Sequence, residues 1–268
     1  MKDPPVSPNS LRDQLTDLLH RSREEVRRIY PGGILEIETA DGYVFSMYWR
    51  SVRLFDGVVL LLRKRLPEEA LMLARSLFVE ALRLAEIAGA GGSRGSLVLG
   101  WANASIEEKK GLLKEATRLG LETDPAPLLA ELDAQQKKLQ NYRARKGIGS
   151  FRNFLSERAA AERFGRTHDY WTYVFAHEFV HGTDAAFTYS RTKTADGTLM
   201  FHDQTNDPQL TVGVACFAAK SLLQGAAAVA QVFGWKGADA IDALAKEVLK
   251  LEEQQKSVAP FPRLRFRA

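Results

Sequence analysis

Cysteine is nearly absent from this chain. Cys216 stands alone among 268 residues, which excludes an intrachain disulfide and points to a reducing compartment. It lies in the apolar stretch 212–219, where an inert buried thiol is expected rather than a nucleophile. A large excess of one charge is missing too. The net charge is only +4, part of it carried by Arg263, Arg265 and Arg267 near the end. A large nucleic-acid-binding face is therefore not indicated, although a small phosphate contact is compatible with this balance. Residues 1–9 lack the apolar core of a signal peptide. Nor is there a clean membrane span. Residues 210–235 have the length, but Lys220, Gln224 and Gln231 interrupt them at the depth where polar groups are costly. A central helix buried among other helices is expected instead, in a cytoplasmic protein with no membrane partner.

What is present reads as helix. An apolar fraction of 45% beside 26% charged residues is enough for an ordinary globular core. Ser10 opens a first helix whose stripe of Leu11, Leu15, Leu18, Val26 and Ile29 runs to Pro31-Gly32-Gly33. Residues 34–39 and 43–49 are rich in β-branched and aromatic side chains and are joined through Asp41-Gly42, which predicts a β-hairpin. Further helices are expected over 51–65, from Pro67 to about Ile87, from Ser105 to about Gly120, from Asp124-Pro125 towards Gly147, and over 151–164 and 167–186. Residues 89–95 form a glycine-rich connector and 190–207 a polar loop. Pro208 begins a long apolar helix that Gly234 ends, and 238–255 forms the last. Trp49, Trp101, Trp171 and Trp235 are expected in the core or at a homo-oligomer interface. The fold class is all-α, a multi-helix bundle with one N-terminal β-hairpin appendage at about 34–49. Its domain organisation is a flexible 1–9, a single helical domain over 10–256 and a basic tail over 257–268.

Chemistry concentrates on one helix. His177-Glu178-Phe179-Val180-His181 reads H-E-x-x-H, in which two imidazoles four positions apart reach one metal and the glutamate takes a proton from a bound water. Zinc would need a third ligand, for which Asp184, His202 and Asp203 are the candidates; the favoured metal set is His177, His181 and His202. Catalysis would then fall to Glu178 and His181. Tyr170, Tyr173, His177, His181 and Asp184 also recur at helical spacing and form one semi-polar face. On an earlier helix Arg75 lies among Leu71, Leu73, Ala74, Leu77 and Phe78. A guanidinium buried there needs a carboxylate, and Glu80 or Glu178 is the expected partner; otherwise Arg75 snorkels to water. Arg75, Glu80, Tyr173 and Asp184 thus make up a polar cluster.

Two of these segments together resemble a bacterial family of unknown function. Arg75-Ser76-Leu77-Phe78-Val79-Glu80 looks like its R-S-L-x-x-E motif, and His177-Glu178-Phe179-Val180-His181-Gly182 is similar to its S-E-x-V-H-G, with His177 in place of the serine. The resemblance covers about 51–87 and 151–186. It implies that Glu178, Val180, His181 and Gly182 have a role without zinc. The helix motif is also distantly similar to the R-x(4–6)-H signature of the HEPN nuclease superfamily, which implies arginine and histidine beside a scissile phosphate. This chain departs from that signature: Val174 stands where the arginine would be, and Gly165 interrupts Arg163-x4-His168.

Three functional classes follow. The favoured one is a helical protein whose Arg/Glu/His cluster is structural or binds a small or phosphorylated ligand. The others are a zinc-dependent hydrolase and an RNA-cleaving enzyme in which His181 acts on the 2′-hydroxyl.

Overall fold

The computed structural model describes residues 8–30, 32, 39–121, 124–180, 191–193, 199–201 and 208–258. Its centre is the long apolar helix, here α8 (Pro208–Phe233). By length and composition this helix is able to cross a membrane, but 78% of its apolar window is buried inside the protein. Four helices surround it: α1 (Pro8–Arg28), α2 (Thr39–Arg63), α3 (Pro67–Gly89) and α9 (Ala238–Val258). Their apolar stripes join in one core that runs from Leu15 to Leu251. The most extensive helix contact among the described residues is that of α3 with α8. Gly225 permits it, since a Cβ there would stand 3.3 Å from Leu84 Cδ1 and 3.7 Å from Ala81 Cα.

The β-hairpin expected near the N-terminus is not formed by residues 43–49. They are the first turns of α2, and residues 34–38 lie outside the described residues. Val44, Met47, Tyr48, Val52, Phe55, Val58 and Leu62 are all buried, a three-and-four spacing that places one face of a continuous helix on the core. The β-rich composition of 43–49 was a local signal, and the longer period overrides it. Tyr48 anchors the helix by donating its hydroxyl to the Val26 carbonyl of α1. A β-pair exists elsewhere, in the stretch expected to be a polar loop. β1 (Arg191–Lys193) runs antiparallel to β2 (Leu199–Phe201), with Thr192 opposite Met200.

After α3, a 3-10 turn at Gly91–Ser93 leads directly into α4 (Arg94–Arg118), which starts inside the glycine-rich connector rather than at Ser105. Arg94 ties this corner down, reaching the Val232 carbonyl at 3.2 Å and Asp41 at 3.2 Å. With α5 (Ala126–Arg145), α4 forms a hairpin that has its own small core of Leu99, Ala102, Ile106, Leu139 and Tyr142.

Residues 151–156, expected to be helical, form neither helix nor strand. Their backbone is held from outside. Arg152 N–H donates to the Ser96 carbonyl at 3.2 Å, and Leu155 N–H to the buried Glu86 carboxylate at 3.0 Å. Ser156 then caps the short α6 (Glu157–Arg163) by accepting from Ala159 N–H at 3.3 Å. Gly165 adopts φ +67° and turns the chain into α7 (Thr167–Val180). Three tryptophans pack against the core, but Trp171 on α7 is exposed.

Candidate functional site between α3 and α7

Along α7 the side chains of Arg166, Tyr170, Tyr173 and His177 recur at helical spacing and share a face. Tyr170 stacks on Tyr173 with ring centroids 5.7 Å apart, and Phe78 of α3 packs 5.8 Å from Tyr173. Arg75 lies one turn before Phe78 and so reaches the same place. Its guanidinium sits 4.8 Å from the centre of the Tyr173 ring, a cation–π contact. Its Nη2 is 3.4 Å from the Tyr173 hydroxyl and 3.3 Å from His177 Nδ1. A guanidinium only donates, so Nδ1 accepts and the ring proton of a neutral His177 belongs on Nε2. Arg75 Nε is buried without a hydrogen-bond partner. Among the described residues no carboxylate lies within ion-pair distance of Arg75.

Glu80 is not that partner. It is buried on α3 and faces Arg50 at 3.2 Å and Arg83 at 3.8 Å, with its Oε2 unbonded. Five residues along a helix amount to a rotation of roughly 140° beyond a full turn, so Arg75 and Glu80 leave α3 on different faces. Burial pushes the Glu80 carboxyl above its usual range, against the opposing pull of Arg50 and Arg83.

A second polar cluster was not anticipated as a site. Asp169 of α7 is only 5% exposed. Its carboxylate accepts from Arg166 on one oxygen and from Lys220 of α8 on the other. Lys220 also donates to both oxygens of Glu252 on α9, at 3.1 and 2.9 Å. Arg166 continues to Gln224 and, at 3.3 Å, to Ser221. Burial raises the Asp169 pKa, but Arg166 and Lys220 outweigh it and hold the carboxyl below its ordinary value. Two cations and two carboxylates cancel, and the network links α7, α8 and α9. Lys220 and Gln224, four apart in an otherwise apolar helix, were the sequence signal for it.

Of the H-E-x-x-H residues, His177 is described and exposed, while the side chain of Glu178 and all of His181 lie outside the described residues, as do Asp184, His202 and Asp203. Among the described residues no group of three or more His, Cys, Asp or Glu side chains is arranged to hold a metal. Cys216 is buried, and that burial, with Glu252 nearby, pushes its thiol up to about 12.

The described geometry defines an all-α bundle in which a half-buried arginine meets a tyrosine and a histidine across α3 and α7. A family model matches residues 41–198, more than half of the chain, and includes both helices of this contact. The chain belongs to that family, described as a family of unknown function (DUF5677). No curated protein and no solved structure matches the chain.

Proposed function

We propose that Arg75, Tyr173 and His177 bind an anionic group, either inorganic phosphate or the phosphate of a small ligand. The observation that carries this reading is the state of Arg75. Two more deeply buried cations, Arg166 and Lys220, are neutralised by Asp169 and Glu252. Among the described residues Arg75 has only an aromatic face, a hydroxyl and an imidazole nitrogen beside it, and a buried Nε without a partner. A forked, permanently charged donor in that situation is suited to phosphate oxygens, and a tyrosine hydroxyl beside it adds a further donor. The contact also favours an anion over a metal, because a divalent ion on His177 would share the ring with a fixed positive charge.

The same contact supports one further reading. An arginine beside a neutral imidazole is a pair that phosphodiester cleavage uses, the first for phosphate charge and the second for proton transfer. Incubation of the protein with RNA, with His177→Ala as control, tests it; unchanged RNA removes it.

The anion site is tested by thermal unfolding in rising phosphate, with chloride matching the ionic strength. Saturation at a hundredfold excess over Kd adds about 2.7 kcal/mol. Arg75→Ala is expected to abolish the shift while itself lowering stability by only about 1 kcal/mol, the scale of a cation–π contact. A wild-type curve no different from the chloride control would end the proposal, as would a shift that survives in Arg75→Ala.

A further inference from the structure

The α4–α5 hairpin carries leucines that no described residue covers. Leu112 is 64% exposed and Leu121 is 77% exposed, and Leu119 and Leu128 are exposed as well. Four of the eight large apolar side chains exposed among the described residues thus come from one hairpin end. At its root the hairpin fills a core with Leu99, Ala102, Ile106, Leu139 and Tyr142. Beyond Ile106 that core stops, yet the apolar spacing continues. Leu112, Leu113 and Ala116 on α4 face Leu128 and Leu132 on α5 across an open groove of about 480 Å³. Two helices alone cannot bury such a seam, because each has neighbours on one side only. α5 packs on α4 and buries only Leu139 and Tyr142 along its 20 residues.

We propose that this face pairs with the same face of a second copy of the chain, two hairpins closing a four-helix bundle about a two-fold axis. The charges at the groove favour a copy over a foreign helix. Lys109 on α4 and Glu131 on α5 line it, and neither has an oppositely charged partner among the described residues, whereas the neighbouring Lys110 is satisfied by Asp133 at 2.6 Å. In a two-fold arrangement that lays α4 on α5 of the second copy, Lys109 meets Glu131 of that copy, and the reciprocal pair forms on the other side of the axis. The face complements itself. The groove residues cover only about two turns of each helix, so the contact has to extend along α5, whose 20 residues span about 30 Å; two helix diameters wide, that strip offers about 600 Å² per chain. The pair would bury about 1,200 Å², the lower end for a specific interface.

Sedimentation of the full chain over a wide concentration range tests the pairing. The wild type is expected to be a dimer and Leu112→Glu a monomer with an unchanged far-ultraviolet spectrum. Lys109→Glu and Glu131→Lys are each expected to weaken association by about tenfold through like-charge contacts. An equimolar mixture of these two variants is expected to re-associate, because each then meets an opposite charge. The charge pair keeps the proposal testable if Leu112→Glu does not fold. A wild type that stays monomeric at every concentration overturns it and leaves the groove to another kind of partner. So does a dimer that the folded leucine variant leaves intact, or a mixture that associates no better than either variant alone.

Discussion

Arg75 on α3 and His177 on α7, 102 positions apart in the chain, meet with Nη2 3.3 Å from Nδ1. Their approach is set by the ring beneath them. Phe78 packs between Tyr173 of α7 and Phe217 of α8, at 5.8 and 5.2 Å, and Arg166 lies over the same ring at 5.3 Å. One aromatic side chain therefore stands between the neutralised Asp169 network and a guanidinium with no carboxylate partner among the described residues. The neutral network holds the three helices in place, and Arg75 is left available.

Asp169→Asn tests the network. It leaves Arg166 and Lys220 close together with half of their compensation removed, and breaking such a buried set costs about 3 kcal/mol. For a chain of this size that lowers Tm by roughly 6–12 °C. The Asp169 carboxyl is held low in the folded protein, so its contribution is present above the unfolded carboxylate value. It is lost as pH falls through the folded value. Calorimetry should accordingly show wild type and variant converging in acid; a constant gap would contradict this assignment.

For Glu80→Gln the sign reverses. The folded carboxyl is raised, so wild-type stability declines as pH rises from the unfolded value towards the folded one, and levels off above it. Glutamine resembles the protonated form and removes that decline. Denaturant titrations at several pH values are expected to show the variant equal to wild type in acid and as stable or about 1 kcal/mol more stable at neutral pH. A variant much weaker at neutral pH would mean that Arg50 and Arg83 stabilise the charge more than burial destabilises it.

Gly100 and Gly111 lie on the same helix and should respond oppositely to alanine. A Cβ on Gly100 meets the backbone of Arg152, whose non-helical segment packs directly on α4, and the overlap should destabilise by about 2–3 kcal/mol. At Gly111 nothing lies within 4 Å, so alanine should stabilise by up to about 1 kcal/mol through helix propensity. Urea unfolding of both variants distinguishes a packing requirement from a general preference for glycine.

Cys216 should be silent in the folded protein. With its thiol pushed up to about 12, almost no thiolate exists at neutral pH, and burial blocks reagents. A disulfide-based thiol reagent is expected to label one equivalent only after denaturant is added. Native labelling at the unfolded rate would show that α8 opens readily.

Several helices were legible because their limits are chemical. Pro67 and Pro208 mark starts, Gly234 marks an end, and the stripe of the last helix persists for about three turns, from Ile241 to Leu251. Residues 43–49 misled because β-branched and aromatic side chains suit a strand locally, whereas the period linking Val44 to Leu62 belongs to a helix. Residues 151–156 misled in another way. Their non-helical form depends on Ser96 and Glu86, distant groups that accept N–H donors of Arg152 and Leu155. At the site, Arg75 and Tyr173 were identified as members of one polar cluster and do meet. Glu80 was included too, although it turns away.

The chain itself determined where its helices are and which faces are apolar, because side-chain spacing and the limits of proline and glycine act over a few residues. Only the tertiary structure decided which charges cancel. Arg166 has Asp169 three positions along the chain, whereas Lys220 and Arg75 are both cations in apolar stretches, and nothing local distinguishes those two. Asp169 and Glu252 neutralise Lys220 because helix packing carries those carboxylates within reach. Arg75 meets Tyr173 and His177, since electrostatic pairing follows distance in space rather than position along the chain.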